Sequence, residues 1–377
     1  MSFQDFNLNL SILKAIEEQN YKEPTPIQQK AIPAILSGKD VLGCAKTGTG
    51  KTAAFAIPIL QRIGEERMGA EERSPIRALV LAPTRELAIQ IGESFESYGK
   101  HLGTQIGTIF GGVTPKRHIK VLKKEPRILV STPGRLLDLI EQGHVNLEAV
   151  EVLVLDEADR MLDLGMVKDV KNILLKLPKV RQNLLFSATM PKEVMKLVHT
   201  ILKNPIKIAV ESSVSEEIEI RQQVYRVEEP DKTDLLLMLL KNMNFESVLV
   251  FTRTKKKADK VAKAINIANI RTKAIHSDKN QSERQKALAL FKNKEIKILV
   301  ATDVAARGID IDKLSHVVNM DIPNVPETYV HRIGRTGRAG MGGTAISFCS
   351  QEEVSDLKQI EKLQGKAIEV LEIETVK

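Results

Sequence analysis

The sequence contains no tryptophan and only two cysteines, Cys44 and Cys349, which stand far apart and without metal-ligand spacing. That usage suits a reducing compartment rather than secretion. Aromatic residues make up 4% of the chain, so ten phenylalanines and four tyrosines carry all ring stacking. No apolar run approaches the roughly 20 residues needed to cross a bilayer. The opening MSFQDFNLNL has no basic segment followed by an apolar core, so it does not read as a signal peptide. A soluble, cytoplasmic protein with no membrane contact is expected. What is present is substantial: 377 residues, 42% hydrophobic and 28% charged, enough for two ordinary domains with real cores. The formal charge of +8 favours a polyanionic partner such as nucleic acid.

Strand-like and helix-like runs alternate along the chain, the pattern of parallel α/β layers. In the first part the strand candidates are 78–82, 128–132, 152–155, 184–187 and 206–210, with amphipathic stretches such as 86–98 and 192–202 between them. The polar, acidic ESSVSEEIEI at 211–220 reads in its first half as a linker. Alternation then resumes at 224–227, 248–251, 272–275, 296–301, 317–321 and 344–348, and 352–363 is helix-like. Two α/β domains, 1–212 and 213–377, are therefore expected. Within the first, VEVLVLDEADRM at 150–161 runs from buried apolar residues onto Asp156, Glu157 and Asp159. Ligands of open α/β sheets bind beyond the carboxyl ends of the strands, which is where these acids stand. A solvated strand-to-helix turn would place them there too.

AKTGTGKT at 45–52 helps to decide. It follows the apolar Val41-Leu42 and precedes a helix-like segment, and it fits the phosphate-loop pattern except that Ala45 replaces the first glycine. Gly48 and Gly50, with Lys46, Thr47 and Thr49 between and around them, let backbone N–H groups close on phosphate oxygens. Lys51 brings positive charge to the outer phosphates, and Thr52 offers a hydroxyl to magnesium. Asp156 supplies the second magnesium anchor, and Glu157 beside it can orient and deprotonate a water. Asp159 reads either as a bridge to other parts of the site or as a helix cap.

With these motifs in order and at family spacing along nearly the entire chain, the sequence resembles the DEAD-box ATP-dependent RNA helicases, DEAD itself being Asp156 to Asp159. The bacterial RhlE-like branch is the expected placement. The resemblance implies two tandem RecA-like domains, each a mostly parallel sheet with helices on both faces. It implies ATP and Mg2+ as cofactors. NYKEPTPIQ at 20–28 resembles the adenine-reading Q motif, with Gln28 bonding the base edge and Phe3 stacking on it; core packing is the alternative for Phe3. Ser187 and Thr189 of SAT match the motif coupling hydrolysis to RNA handling, although strand-end capping also favours such residues. Pro83, Thr84 and Arg85, then Gly111 and Gly112, then Thr132, Pro133, Gly134 and Arg135 resemble RNA-contacting loops. Small residues there let amides approach phosphates, while the arginines bring charge or support the loops.

The second half has no GxxxxGK[ST], so it is expected to bind no nucleotide of its own. By resemblance Thr252, Arg253, Gln281, Arg284 and Thr302 face RNA, and Gly308 and Asp310 face the nucleotide. In HRIGRTGR at 331–338 the arginines recur every three residues, and Arg335 and Arg338 match the arginine fingers. Lys255, Lys256 and Lys257 read as a solvated face. Three departures from the family pattern stand out. Asn20 replaces a usual glycine, which the αL tolerance of asparagine permits; Lys46 adds a charge near the phosphates; Met166 replaces an aromatic, as a packing variation. The expected activity is RNA-stimulated ATP hydrolysis driving local, non-processive separation of short RNA duplexes by a monomer, with single-stranded and short duplex RNA held mainly through the backbone. Ribosome-assembly or RNA-decay proteins are the expected partners. An RNA clamp whose hydrolysis only times release, and a DNA-directed translocase, are the alternatives.

Overall fold

A computed structural model describes residues 1–45, 48–64, 75–210, 220–242, 245–306, 311, 314–337 and 342–372. The chain divides into two compact units, 1–213 and 214–377, and the expected linker, the first half of 211–220, lies outside the described residues.

The first unit is a seven-stranded sheet, all of whose pairings are parallel. Its strands are β1 (Val41–Cys44), β2 (Ala78–Leu81), β3 (Ile106–Ile109), β4 (Ile128–Ser131), β5 (Val152–Leu155), β6 (Gln182–Ser187) and β7 (Ile206–Ala209), in the spatial order β3-β4-β2-β5-β6-β1-β7. The central strands are continuous apolar runs because both faces are covered. Successive side chains alternate between two cores. Ala78, Val80, Val152 and Val154 pack with Ile12, Ile27, Phe55 and Phe95 of one helical layer. Leu79, Leu81, Leu153 and Leu155 pack with Leu136, Met161, Val170 and Val194 of the other. The first face is packed closely at Gly43, where a Cβ would lie 2.4 Å from the Phe186 ring.

The second unit repeats the plan. Its strands β8 (Arg221–Arg226), β9 (Val248–Thr252), β10 (Thr272–Ile275), β11 (Ile298–Thr302), β12 (His316–Asn319), β13 (Thr344–Cys349) and β14 (Glu369–Leu371) form a parallel sheet in the order β10-β11-β9-β12-β13-β8-β14. Val248, Val250 and Val300 face one core, and Leu249, Phe251 and Leu299 the other.

β3 and β14 lie outside the expected strands. Both are edge strands: β3 alternates half-buried and buried residues and contains Gly107, and β14 is mostly exposed, so neither carries the continuous apolar signal of a central strand. Asn20 adopts φ +58°, the αL conformation its side chain tolerates, and Met166 packs at the margin of the second core. The helix Lys255–Ile267 corrects one expectation. Lys255 and Lys256 are exposed, but Lys257 is half-buried and paired with Asp321 and Glu229. Among the described residues, no helix is long and apolar enough to cross a membrane.

Candidate functional site

The carboxyl edge of the first sheet carries two neighbouring sets of loops, and strand order decides which residues meet. β5, β6 and β1 are adjacent, so the turns after them bring together the acids 156–159, Ser187 to Thr189, and the 45–52 loop. β2, β4 and β3 are likewise adjacent, and their ends carry Pro83 to Arg85, Thr132 to Arg135, and Gly111-Gly112.

In the first set, Ala45 N donates to Ser187 O at 3.1 Å, tying the loop to β6. Gly48 and Gly50 have φ of +82° and +91°, a region that L side chains rarely adopt. Gly50 is fixed on a second ground, since a Cβ would lie 2.4 Å from Gln28 Nε2. Lys46 and Thr47 lie outside the described residues. Thr49 O accepts from Thr25 Oγ1 at 2.8 Å. Lys51 and Thr52 open the helix Lys51–Gly64, Thr52 half-buried. The Lys51 ammonium is buried and has no hydrogen-bond partner among the described residues. Leaving such a cation unpaired is costly. That orphaned charge, beside a turn of glycines opening a helix, fits a polyphosphate.

Asp156 is 2% exposed. Burial pushes its pKa up to about 6, against the pull of Lys51 and with the repulsion of Glu157 and Asp159. Among the described residues no three His, Cys, Asp or Glu side chains form a metal cage. Asp156 and Thr52 are the oxygen-bearing side chains here that could hold a hard cation such as Mg2+, which keeps waters and phosphate oxygens as its other ligands. Glu157 has φ +51°, unusual for a glutamate and of the kind held at functional sites. Its Oε2 accepts from Arg160 Nη1 at 3.0 Å. Asp159 bridges rather than merely capping. Its Oδ2 accepts from Thr189 N and Oγ1 at 2.8 and 2.9 Å, and its N–H donates to Ser187 Oγ at 3.2 Å.

Gln28 opens onto the loop: Nε2 donates to Gly50 O at 3.1 Å and Oε1 accepts from Thr25 N at 3.0 Å. Phe3 is buried in the first core, edge-on to Phe6 and stacked on Tyr21 with centroids 6.5 Å apart. Tyr21, which sequence reasoning did not single out, is the outer ring of that pair at 42% exposure.

In the second set, a Cβ at Gly112 (φ +80°) would lie 1.9 Å from Arg85 Nη1, so the guanidinium packs directly on that glycine. Thr84 caps the helix Arg85–Tyr98, accepting from Leu87 N at 3.3 Å. Thr132 N donates to Ile109 O at 3.2 Å, and Pro133 starts the helix Pro133–Glu141, which also carries Gly134. Arg135 Nη1 donates to Val113 O at 3.0 Å and lies 3.0 Å from His118 Nδ1. His118 is a second residue that sequence reading missed.

In the second unit, Thr252 and Thr302 end the adjacent strands β9 and β11. Arg253 is anchored: its N–H donates to Asp321 at 2.7 Å, and its Nη2 to Ile322 O at 2.8 Å and Glu353 Oε1 at 3.1 Å. Gln281 and Arg284 are buried on the helix Gln281–Lys292. Arg332 is enclosed by Asp303, at 2.6 and 2.7 Å, and by Asn319 and Asp321 O, and it lies 5.1 Å from the Phe251 ring centroid. Arg335, buried, follows the helix Pro326–Ile333 that carries Arg332, and its carbonyl accepts from Leu314 N at 3.1 Å. Gly308, Asp310 and Arg338 lie outside the described residues.

Comparison with known proteins agrees with this layout. The DEAD/DEAH box helicase model matches residues 25–197, and the helicase conserved C-terminal domain model matches 231–340. The DEAD-box ATP-dependent RNA helicase CshA of Geobacillus kaustophilus is 44% identical over 368 residues, 98% of this chain and 78% of the relative. The chain belongs to the DEAD-box helicase family. Another DEAD-box relative, RhpA of Helicobacter pylori, is 42% identical over 100% of the chain and 75% of its own length. Dbp5 of S. cerevisiae, solved bound to RNA and ADP BeF3, superposes with TM-score 0.85 at 33% identity, covering 99% of this chain and 95% of that one. These relatives carry the names CshA and RhpA, so placement in the RhlE-like branch of the DEAD-box family is not supported. Two seven-stranded parallel sheets with flanking helices match the tandem RecA-like domains of DEAD-box structures.

Proposed function

We propose that this chain is an ATP-dependent RNA helicase that couples RNA-stimulated ATP hydrolysis to local, non-processive opening of short RNA duplexes. The observation that carries the reading is the buried Lys51 ammonium, without a hydrogen-bond partner among the described residues, near Asp156 and the glycine turn. The likeness to Dbp5 bound to RNA and ADP BeF3 supports the same ligand classes. In this reading 1–212 is the nucleotide-holding domain and 213–377 the helper domain.

Lys51 balances the outer phosphates of ATP, and the amides of the 45–52 loop wrap the inner ones. Thr52 and Asp156 hold Mg2+, which neutralises phosphate charge when bound. Glu157, oriented by Arg160, takes a proton from the attacking water. Gln28 reads the adenine edge, with Phe3 and Tyr21 as the aromatic ledge. Asp159, held by Thr189 and Ser187, carries the state of the acid loop to the SAT segment. RNA lies along the loops of Arg85, Gly112 and Arg135 in the first domain and the ends of β9 and β11 in the second. Its contacts are to phosphates and 2′-hydroxyls, giving preference for RNA with little sequence readout. Arg335 and Arg338 serve as fingers in a closed state that ATP and RNA together favour. We place the protein in the cytoplasm as a monomer, working with ribosome-assembly or RNA-decay proteins.

The test is one ATPase series with no nucleic acid, with RNA and with DNA. RNA stimulation with little response to DNA is expected. Equal stimulation by DNA would favour a DNA translocase, and absence of any ATPase would end the proposal.

A further inference from the structure

The helix Pro115–Leu122 lies on the surface as PKRHIKVL, and His118 is its one buried residue, at 1% exposure. The imidazole sits between two loops that the RNA reading uses. Its Nδ1 is 3.0 Å from Arg135 Nη1, and Phe110 N–H points at its Nε2 from 3.3 Å. The ring packs edge-on to Phe110 with centroids 5.3 Å apart. Phe110 leads directly into Gly111-Gly112, and Arg135 closes the TPGR turn. The same Arg135 nitrogen also donates to Val113 O, so His118, Phe110, Val113 and Arg135 form one closed set of contacts. Arg85 lies against Gly112 at the other side of that loop.

We propose that His118 is a positioning residue for RNA binding, which locks the Gly111-Gly112 loop to Arg135 so that two separate loops present one phosphate-binding surface. A histidine packed in a core for its volume alone would need only the Phe110 contact. Both ring nitrogens face N–H groups, and a neutral imidazole accepts at only one of them. The charged guanidinium, 3.0 Å from Nδ1, is the nearer and stronger donor, against 3.3 Å for Phe110 N at Nε2. Burial first, then Arg135 and Arg117, pushes the His118 pKa down to about 4, so near neutral pH the ring is uncharged and offers an acceptor nitrogen. An acceptor toward Arg135 turns the guanidinium into a fixed strut; without it, only Val113 O and Asp138 hold that side chain among the contacts described.

The inference rests on the reading that these loops contact RNA, and the experiment separates the two. In the full chain, His118→Leu keeps bulk without an acceptor, and His118→Gln keeps an acceptor. The RNA concentration giving half-maximal ATPase should rise about tenfold in His118→Leu, the scale of one lost charge-assisted hydrogen bond. The maximal rate at saturating RNA should hold, and His118→Gln should recover most of the affinity. Equal half-saturation in His118→Leu and wild type, with Arg135→Ala still weakening RNA binding, would overturn the positioning role alone. Unchanged RNA affinity in Arg135→Ala as well would overturn the loop reading and the inference with it. Equal weakening in the Leu and Gln variants would reduce His118 to packing.

Discussion

Among the described residues each unit buries one lysine, and the two are treated in opposite ways. Lys232 of the second unit is fully buried, with Glu353 at 2.5 Å, Glu229 at 3.1 Å and Asp321 at 3.8 Å. Those acids are shared in turn with Lys257 and Arg253, so every charge in the cluster faces an opposite one. Lys51 of the first unit is buried on a similar sheet with no hydrogen-bond partner among the described residues. Burying a cation is tolerable when it is paired, and it costs several kcal/mol when it is not. The paired lysine therefore reads as architecture. The unpaired one reads as a place kept for a ligand that brings negative charge.

The largest expected effect is the sharpest test of that contrast. Lys51→Ala should take ATP hydrolysis below detection and weaken ATP binding, with a smaller change in stability than Lys232→Ala, because Lys51 gives up no hydrogen bond among the described residues and only its pull on Asp156. Lys232→Ala should do the reverse, costing about 3–5 kcal/mol of stability by stranding buried carboxylates. Denaturant unfolding and an ATPase assay on both variants read the two axes. Near-normal turnover in Lys51→Ala would break the comparison. The arginines extend it. Arg335→Ala should leave ATP binding in place and slow RNA-stimulated hydrolysis on the order of 10³-fold, as loss of an arginine finger does. Arg332→Ala, which empties a cage of Asp303, Asn319 and Asp321 O, should show first as lower stability.

The contrast also explains what could be read in advance. The proposed ligand-facing residues of the first unit fall in short contiguous stretches, 45–52 and 156–159, because a phosphate turn is built from one stretch of backbone, and such stretches stand out in a sequence. Central strands such as β2 and β5 were legible through unbroken apolar runs. β3 was not, since Gly107 and its half-exposed alternation look like loop. The charge cluster around Lys232 was illegible for the opposite reason to the phosphate turn. Glu229, Lys257, Asp321 and Glu353 come from four separate segments, and Lys257 looks like part of a solvated lysine run until the fold brings Asp321 beside it. His118 was hidden likewise in a basic surface helix.

A smaller effect sharpens the comparison by asking whether the units communicate. If ATP and RNA both favour one closed state, each raises the other's affinity by the same factor. Glu157→Gln keeps the size of the base and removes its function, so it should accumulate that state. Fluorescence anisotropy on a short labelled RNA should then show binding roughly 5–150-fold tighter with ATP than with ADP, the range of typical couplings. The ATP-bound affinity should fall with added salt as phosphate contacts release counterions. Equal affinity with ATP, ADP and no nucleotide would mean that the unpaired lysine serves a nucleotide site uncoupled from RNA.

The smallest expected effect is in acid, and it isolates the first unit. The neutral His118 has a pKa of about 4 in the folded chain against an ordinary 6.5. Between those values the unfolded chain binds a proton that the native one refuses, so its contribution is complete above pH 6.5 and is lost as pH falls toward 4. Asp156 works in the other sense. Its pKa is raised to about 6 from 3.8, so the native state holds a proton that the unfolded chain releases, and stability is regained as pH falls through that window. Wild type alone would show these trends superimposed. Subtracting the thermal stability of His118→Gln from that of wild type, across pH 7 to 4, removes the Asp156 part common to both. The difference should shrink steadily with acid. A difference that is flat with pH would mean that burial, with Arg135 and Arg117 beside it, does not hold His118 neutral in the folded chain.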